Sequence, residues 1–128
     1  MDAIGFNYNK LNYDSVWYQI CLINLLESKT FFMIIVHDTF ICKPGNASKL
    51  AKMFKEAMSG PEVVYIMTDM TGQFNKVVMV TQYDTMAAYE QSWEKYMKDK
   101  DAMKKMEEIM KGYTDMYLTG SREIYRVW

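Results

Sequence analysis

His37 is the only histidine of the chain, and in the extended run from Met33 to Cys42 it shares a parity with Thr39. An unperturbed imidazole titrates at about pH 6.5, so beside a pocket it can take the proton of a phenol or enol and leave an electron-rich anion for dioxygen. Glu123 and Tyr125 share a parity near the C-terminus, and Tyr83 ends another extended run. Converging on one pocket, these three would add a carboxylate and two phenols. The competing reading is structural: His37 as a hydrogen-bonded core or interface histidine, and the others as a cross-strand or interface network with Arg122 and Arg126. A carboxylate withdrawn from water needs a partner, which gives Glu123 the stronger claim to a role.

Other chemistries find less support. Cys42, His37 and methionines do not form a Cys-x-x-Cys or His-x-x-x-His pattern, so no metal is expected. Phosphate loops, dinucleotide-binding glycines, nucleophile elbows and zinc-protease motifs are all missing from the sequence, and no cofactor is expected. Lys plus Arg total 15 against 16 for Asp plus Glu, a formal charge of −1, so no global field favours nucleic acid or anionic lipid. Neither nucleic acid nor membrane is expected as a partner. Two cysteines, Cys21 and Cys42, do not make a disulfide framework, which fits a reduced, cytoplasmic setting. Asn46-Ala47-Ser48 matches a glycosylation acceptor but falls where a helix cap is expected. Thirteen methionines are many for 128 residues; their helical spacing points to core filling rather than to an adaptable binding face.

The elements that would position these residues follow from periodicity. Met33 to Cys42 has strand composition and stops at Pro44-Gly45. Asn46 is the expected cap of a helix with Leu50, Ala51, Phe54, Ala57 and Met58 on one face, ended by Ser59-Gly60-Pro61. Val63 to Met70 and Phe74 to Tyr83 form a hairpin about Thr71-Gly72-Gln73. Asp84 then caps a helix bearing Met86, Tyr89, Trp93, Tyr96 and Met97, which Asp99-Lys100-Asp101 breaks or bends. A further helical stretch carries Met103, Met106, Ile109 and Met110 to Gly112, with alternating Lys and Glu as its solvated face. Tyr113 to Trp128 reads as a long strand with a bulge or bend near Thr119-Gly120-Ser121.

Residues 33–128 thus form one domain, and residues 1–32 an N-terminal extension of uncertain structure. Val16 to Leu26 is apolar enough to resemble a signal core, but it carries Gln19 and Asn24, lacks a basic leader and is too short to span a bilayer. It is expected to dock on the domain, and translation is expected to be able to start at Met33.

Strand alternation gives the main structural inference. In the first strand Val36, Phe40 and Cys42 oppose Ile35, His37, Thr39 and Ile41; in the third, Val78 and Val80 oppose Val77, Met79 and Tyr83. Neither parity reads as plainly wet. Helices cover one face of a four-stranded sheet, and a second copy of the same sheet is the simplest cover for the other, enclosing a pocket between them.

The order strand, helix, strand, strand, helix, strand, with Cys42-Lys43-Pro44-Gly45 at the first junction and the final Arg122-Glu123-Ile124-Tyr125-Arg126 strand, resembles the dimeric α+β barrel superfamily, nearest its NIPSNAP-like and antibiotic-monooxygenase-like branches. The resemblance implies an α+β, ferredoxin-like βαββαβ protomer that forms a dimeric α+β barrel. It also implies a range of functions: cofactor-independent monooxygenases on quinol-like substrates, haem-degrading oxygenases, lactone isomerases and proteins without known activity. Haem-degrading members pair a Trp with a His near the second helix and use an Asn on the first strand. Here Trp93 has a helical position, but its helix has no His and the first strand offers His37 and Asp38, which argues against haem degradation.

The reading is therefore a homodimer that binds a small, partly apolar molecule, with His37 as general base and Thr39, Tyr83, Trp93, Glu123 and Tyr125 as substrate contacts, in a monooxygenase-like or isomerase-like reaction. The alternative is a non-catalytic ligand-binding or assembly module whose polar sheet residues serve the dimer.

Overall fold

The β-branched residues Ile34, Ile35, Val36, Thr39 and Ile41 favour an extended backbone, and strand β1 spans Ile34–Cys42 in the computed structural model, which describes residues 32–128. The expectations placed on Val16 to Leu26 lie outside the described residues. Beyond β1 the order is α1 (Ala47–Ala57), β2 (Val63–Thr68), β3 (Lys76–Tyr83), α2 (Met86–Lys98), α3 (Lys100–Ile109), a 3-10 turn (Tyr113–Asp115) and β4 (Tyr117–Arg126). The four strands make one sheet in the order β2-β3-β1-β4, with every neighbouring pair antiparallel. This is the ferredoxin-like arrangement expected from the sequence.

Gly45 takes the left-handed φ of 80° that turns the chain out of β1. Asn46 is the N-cap of α1, but its backbone is helical and its side chain makes no capping bond, so the cap is weaker than the residue type suggested. From α1, Leu50 and Phe54 enter the core with Cys42 of β1, Val77 of β3 and Met110 after α3, while Phe40, Met106 and Tyr117 pack around them. Met106 and Met110 fill this core, as their spacing predicted, whereas Met86 and Met97, expected on the apolar side of α2, are exposed.

Four boundaries differ from the sequence expectation. Thr85, not Asp84, caps α2: its Oγ1 accepts from the Ala88 N–H at 3.0 Å. β2 ends at Thr68 and β3 starts only at Lys76, because Asp69 Oδ1 accepts the Lys76 N–H at 2.7 Å and Asn75 adopts φ 60°, closing a longer loop. Tyr113–Asp115 is a 3-10 turn rather than strand, entered through Gly112 at φ 79°. The register of β4 slips between Tyr117 and Thr119, opposite Cys42 and Ile41, so the irregularity falls at Leu118 and not at Gly120. Gly120 itself stays in register opposite Phe40; a Cβ there would lie 3.4 Å from the Phe40 ring. The expected break at Asp99 holds: this residue ends α2 and its Oδ1 caps α3 through the Ala102 N–H at 2.9 Å.

Candidate functional site

Register assigns each side chain to a face. Across β1 and β3 the pairs Val36–Thr81, Asp38–Met79 and Phe40–Val77 lie on the helix-covered side, whereas His37–Val80 and Thr39–Val78 lie on the other. β4 extends that second face with Glu123 opposite His37, Ser121 opposite Thr39 and Tyr125 opposite Ile35. β2 adds Tyr65 and Met67, opposite Val80 and Val78. No described helix packs here, and Tyr65, Met67 and Tyr125 remain exposed. The result is a largely apolar sheet surface that gathers His37, Glu123 and Tyr125 towards its β4 edge, with Lys76 and Gln82 at the two ends of β3.

That cluster is built from three of the residues singled out in the sequence. The Tyr125 hydroxyl donates to Glu123 Oε2 at 2.7 Å, and the Tyr125 ring meets the His37 imidazole edge-on, with centroids 5.1 Å apart and planes at 64°. The carboxylate favours the protonated phenol, which pushes the Tyr125 pKa above its ordinary value; the hydrogen bond is the leading cause. Thr39 stands two residues along β1 on the same face. A base, a carboxylate, a phenol and a hydroxyl therefore share one surface, an arrangement suited to receiving a hydroxyl proton and binding the resulting anion beside apolar walls.

Tyr83 and Trp93 do not join them. Tyr83 lies opposite Ile34, on the helix-covered side, and its ring packs against Tyr89 of α2 at 5.2 Å. Trp93 belongs to the same layer, with the Arg122 guanidinium 5.2 Å from its ring. The parity of β3 already separated Tyr83 from Val78 and Val80, so its convergence with Glu123 and Tyr125 is corrected by the alternation itself. Within the protomer Glu123 does not meet Arg122 or Arg126: Arg122 turns to Asp38 under the helices, and Arg126 stacks on Phe32 and Trp128.

Sequence reasoning missed Asp38. Its side chain is buried on the parity of Val36 and Phe40 and is held by Arg122 through two hydrogen bonds, Nε–Oδ1 at 2.6 Å and Nη2–Oδ2 at 3.2 Å. Arg122 Nη1 also donates to the Tyr89 hydroxyl at 3.2 Å, so the pair ties β1, β4 and α2 together. Bonding to Asp38 holds the Arg122 pKa above its ordinary value, with burial working against it. An acidic residue amid an apolar parity was the available signal.

A broad concavity lies elsewhere, in an open groove between Gly60–Val64, Gln82–Asp84 and α2, lined by Ala88, Ser92 and Tyr96. It shares no residue with the His37 cluster, and its breadth and openness give it little means to hold a small molecule. No group of His, Cys, Asp or Glu among the described residues is arranged to hold a metal ion, and no described helix is long and apolar enough to cross a membrane.

With this geometry in place, comparison with known proteins is informative. The sequence matches the NIPSNAP family over residues 38–117, well over half of the chain. No curated protein matches it. Among solved structures, an uncharacterised NIPSNAP-like domain protein from Burkholderia xenovorans superposes with a TM-score of 0.60 at 16% identity, covering 73% of this chain and 84% of that one. A NIPSNAP family protein from Agrobacterium tumefaciens gives 0.58 at 11% identity over 73% and 90%. A candidate antibiotic biosynthesis monooxygenase from Caulobacter crescentus gives 0.54 at 18% identity over 81% and 98%. At these identities the likeness to the solved structures is one of fold.

Proposed function

Since the chain belongs to the NIPSNAP family, whose fold is shared by monooxygenase-like proteins, we propose that it binds a small, partly apolar molecule on the open sheet face and acts on it without a cofactor. The observation that carries this reading is the grouping of His37, Glu123 and Tyr125 on a largely apolar surface. A second copy laid over that surface would remove it from water and turn an open face into a pocket. The molecule best matched to such a pocket is a quinol-like aromatic or another enolisable compound.

The first step is proton transfer: the substrate O–H bond breaks, an N–H bond forms on the His37 imidazole, and the substrate keeps the electron pair as an enolate or phenolate. Two outcomes are open to that anion. Reprotonation at carbon makes the protein an isomerase. Reaction at an activated CH2 with dioxygen makes it a monooxygenase, in which one oxygen atom enters the carbon as C=O and the other leaves as water.

The alternative, a non-catalytic module, draws on the mutual satisfaction of Glu123 and Tyr125, which could equally meet a partner sheet. Native mass spectrometry tests the first requirement, since a dimer is expected and a strict monomer would contradict the enclosed pocket. Incubation with dihydroxynaphthalene under air tests the second. Turnover or saturable binding that His37→Ala abolishes, with the fold intact, supports the reading; unaltered behaviour of His37→Ala overturns the base assignment.

A further inference from the structure

We propose, resting on the function just given, that Tyr125 is a positioning residue: it draws the Glu123 carboxylate away from His37 and so leaves the imidazole unpaired and ready to accept a proton. The register makes this a real competition. His37 and Glu123 are directly opposed across β1 and β4, and opposed residues of an antiparallel pair have Cβ atoms about 4.5–5.5 Å apart. A carboxylate and an imidazole at that spacing are natural ion-pair partners. Yet the Glu123 carboxylate is bonded to the Tyr125 hydroxyl at 2.7 Å, and the ring of the same Tyr125 abuts the imidazole. One side chain occupies the carboxylate with its hydroxyl and covers the histidine with its ring.

Among the described residues of this face no other charge competes for that role. β1 contributes no ionisable side chain besides His37, and β3 contributes only Lys76, at the distant Ile41 end. β2 presents Tyr65, opposite Val80, and β4 presents Glu123 and Tyr125 with the neutral Thr119 and Ser121. Asp38 and Arg122 satisfy each other on the opposite face of the sheet.

The arrangement has a chemical consequence. A carboxylate bonded to an imidazole favours its protonated form, which leaves a smaller share of the rings free to accept a proton at a given pH. With Glu123 occupied, His37 can take the substrate hydroxyl proton; the imidazolium so formed then attracts Glu123. Tyr125 is thereby released and its hydroxyl can donate to the new substrate oxyanion, stabilising charge where it has just developed. Proton transfer and anion binding are coupled through one phenol.

Because His37 is the only histidine, its ring proton resonances can be followed against pH in the full-length protein without assignment. In Tyr125→Phe, which keeps the ring and loses the hydroxyl, Glu123 is free to turn to His37, and the imidazole titration midpoint is expected to rise by on the order of one pH unit relative to the wild type. The double variant Tyr125→Phe with Glu123→Gln is expected to lose that rise. An unchanged midpoint in Tyr125→Phe, or a rise that persists in the double variant, overturns the proposal. Glu123→Gln alone, which leaves Tyr125 in place, must match the double variant; a mismatch also overturns it. Binding of dihydroxynaphthalene is measured on the same samples. The expected titration pattern without binding upholds Tyr125 and overturns the substrate reading, whereas binding with a flat titration does the reverse.

Discussion

Arg122 grips Asp38 with two hydrogen bonds, Nε to Oδ1 at 2.6 Å and Nη2 to Oδ2 at 3.2 Å, from the edge strand β4 to its neighbour β1. Asp38 is only 6% exposed, so without Arg122 its side chain would be a buried acceptor lacking these bonds. Arg122→Leu is expected to lower stability by about 1–3 kcal/mol, the range for stranding a buried acceptor, with the outer part of the guanidinium discounted for its contact with water. Arg122→Lys recovers part of the loss because a lysine cannot bond both carboxylate oxygens at once. Removing both charges, as Asp38→Leu with Arg122→Leu, is expected to cost less than Arg122→Leu alone. Urea midpoints of the three variants decide it, and a double variant less stable than Arg122→Leu would show that the pair contributes more than mutual compensation.

Leu50 is the most completely buried large side chain of α1, at 0% exposure, and it faces Cys42, Val77 and Phe54. Leu50→Ala removes its apolar area and leaves a cavity beneath α1, at a cost of about 2–5 kcal/mol. A loss below about 1 kcal/mol by chemical denaturation would mean that the helix settles into the space, which the rigid floor of β1 and β3 argues against.

Burial pushes the Cys42 thiol up, with Asp69 adding to the effect. The sign follows from linkage: the folded thiol holds its proton more tightly than the unfolded one. Its contribution to stability is therefore complete below the unfolded cysteine range, about pH 8.5, and fades as pH rises through the higher folded value. In a Cys21→Ser background, iodoacetamide is expected to modify Cys42 in step with unfolding and not before it. Rapid labelling of the folded protein at pH 8 would contradict the packing of Cys42 in the core.

Much of this architecture was legible in the sequence because its signals are local. β-branched runs, the Pro44-Gly45 stop, the helical spacing of Leu50 and Phe54 and the Asp99 break each depend on neighbours a few residues away. The parity rule likewise brought His37 and Thr39 to one face and Glu123 and Tyr125 to one face of their own strand. What it could not supply was register between strands: only pairing shows that Glu123 meets His37 and that Arg122 meets Asp38. The separation of Trp93 from the His37 cluster was hidden for a related reason. Its helix lies over the other side of the sheet, where Arg122 holds it through cation-π contact.

The hydrogen bond from Tyr125 to Glu123 also sets the titration of the phenol itself. Tyr125 is 46% exposed, so burial alone would leave it near the ordinary tyrosine value of about 10; the acceptor carboxylate is what raises it. Since ionisation of the phenol must break that bond and place two negative charges side by side, the folded value lies above the unfolded one. The associated stability is present below about pH 10 and is lost as pH climbs through the folded value. The tyrosinate absorbance of the wild type minus that of Tyr125→Phe isolates this one residue. In Glu123→Gln the same difference is expected to titrate at lower pH, while Glu123→Asp, whose shorter side chain reaches less far, falls between. A Tyr125 titration that Glu123→Gln leaves untouched would separate the two residues and remove the physical basis of the cluster at His37.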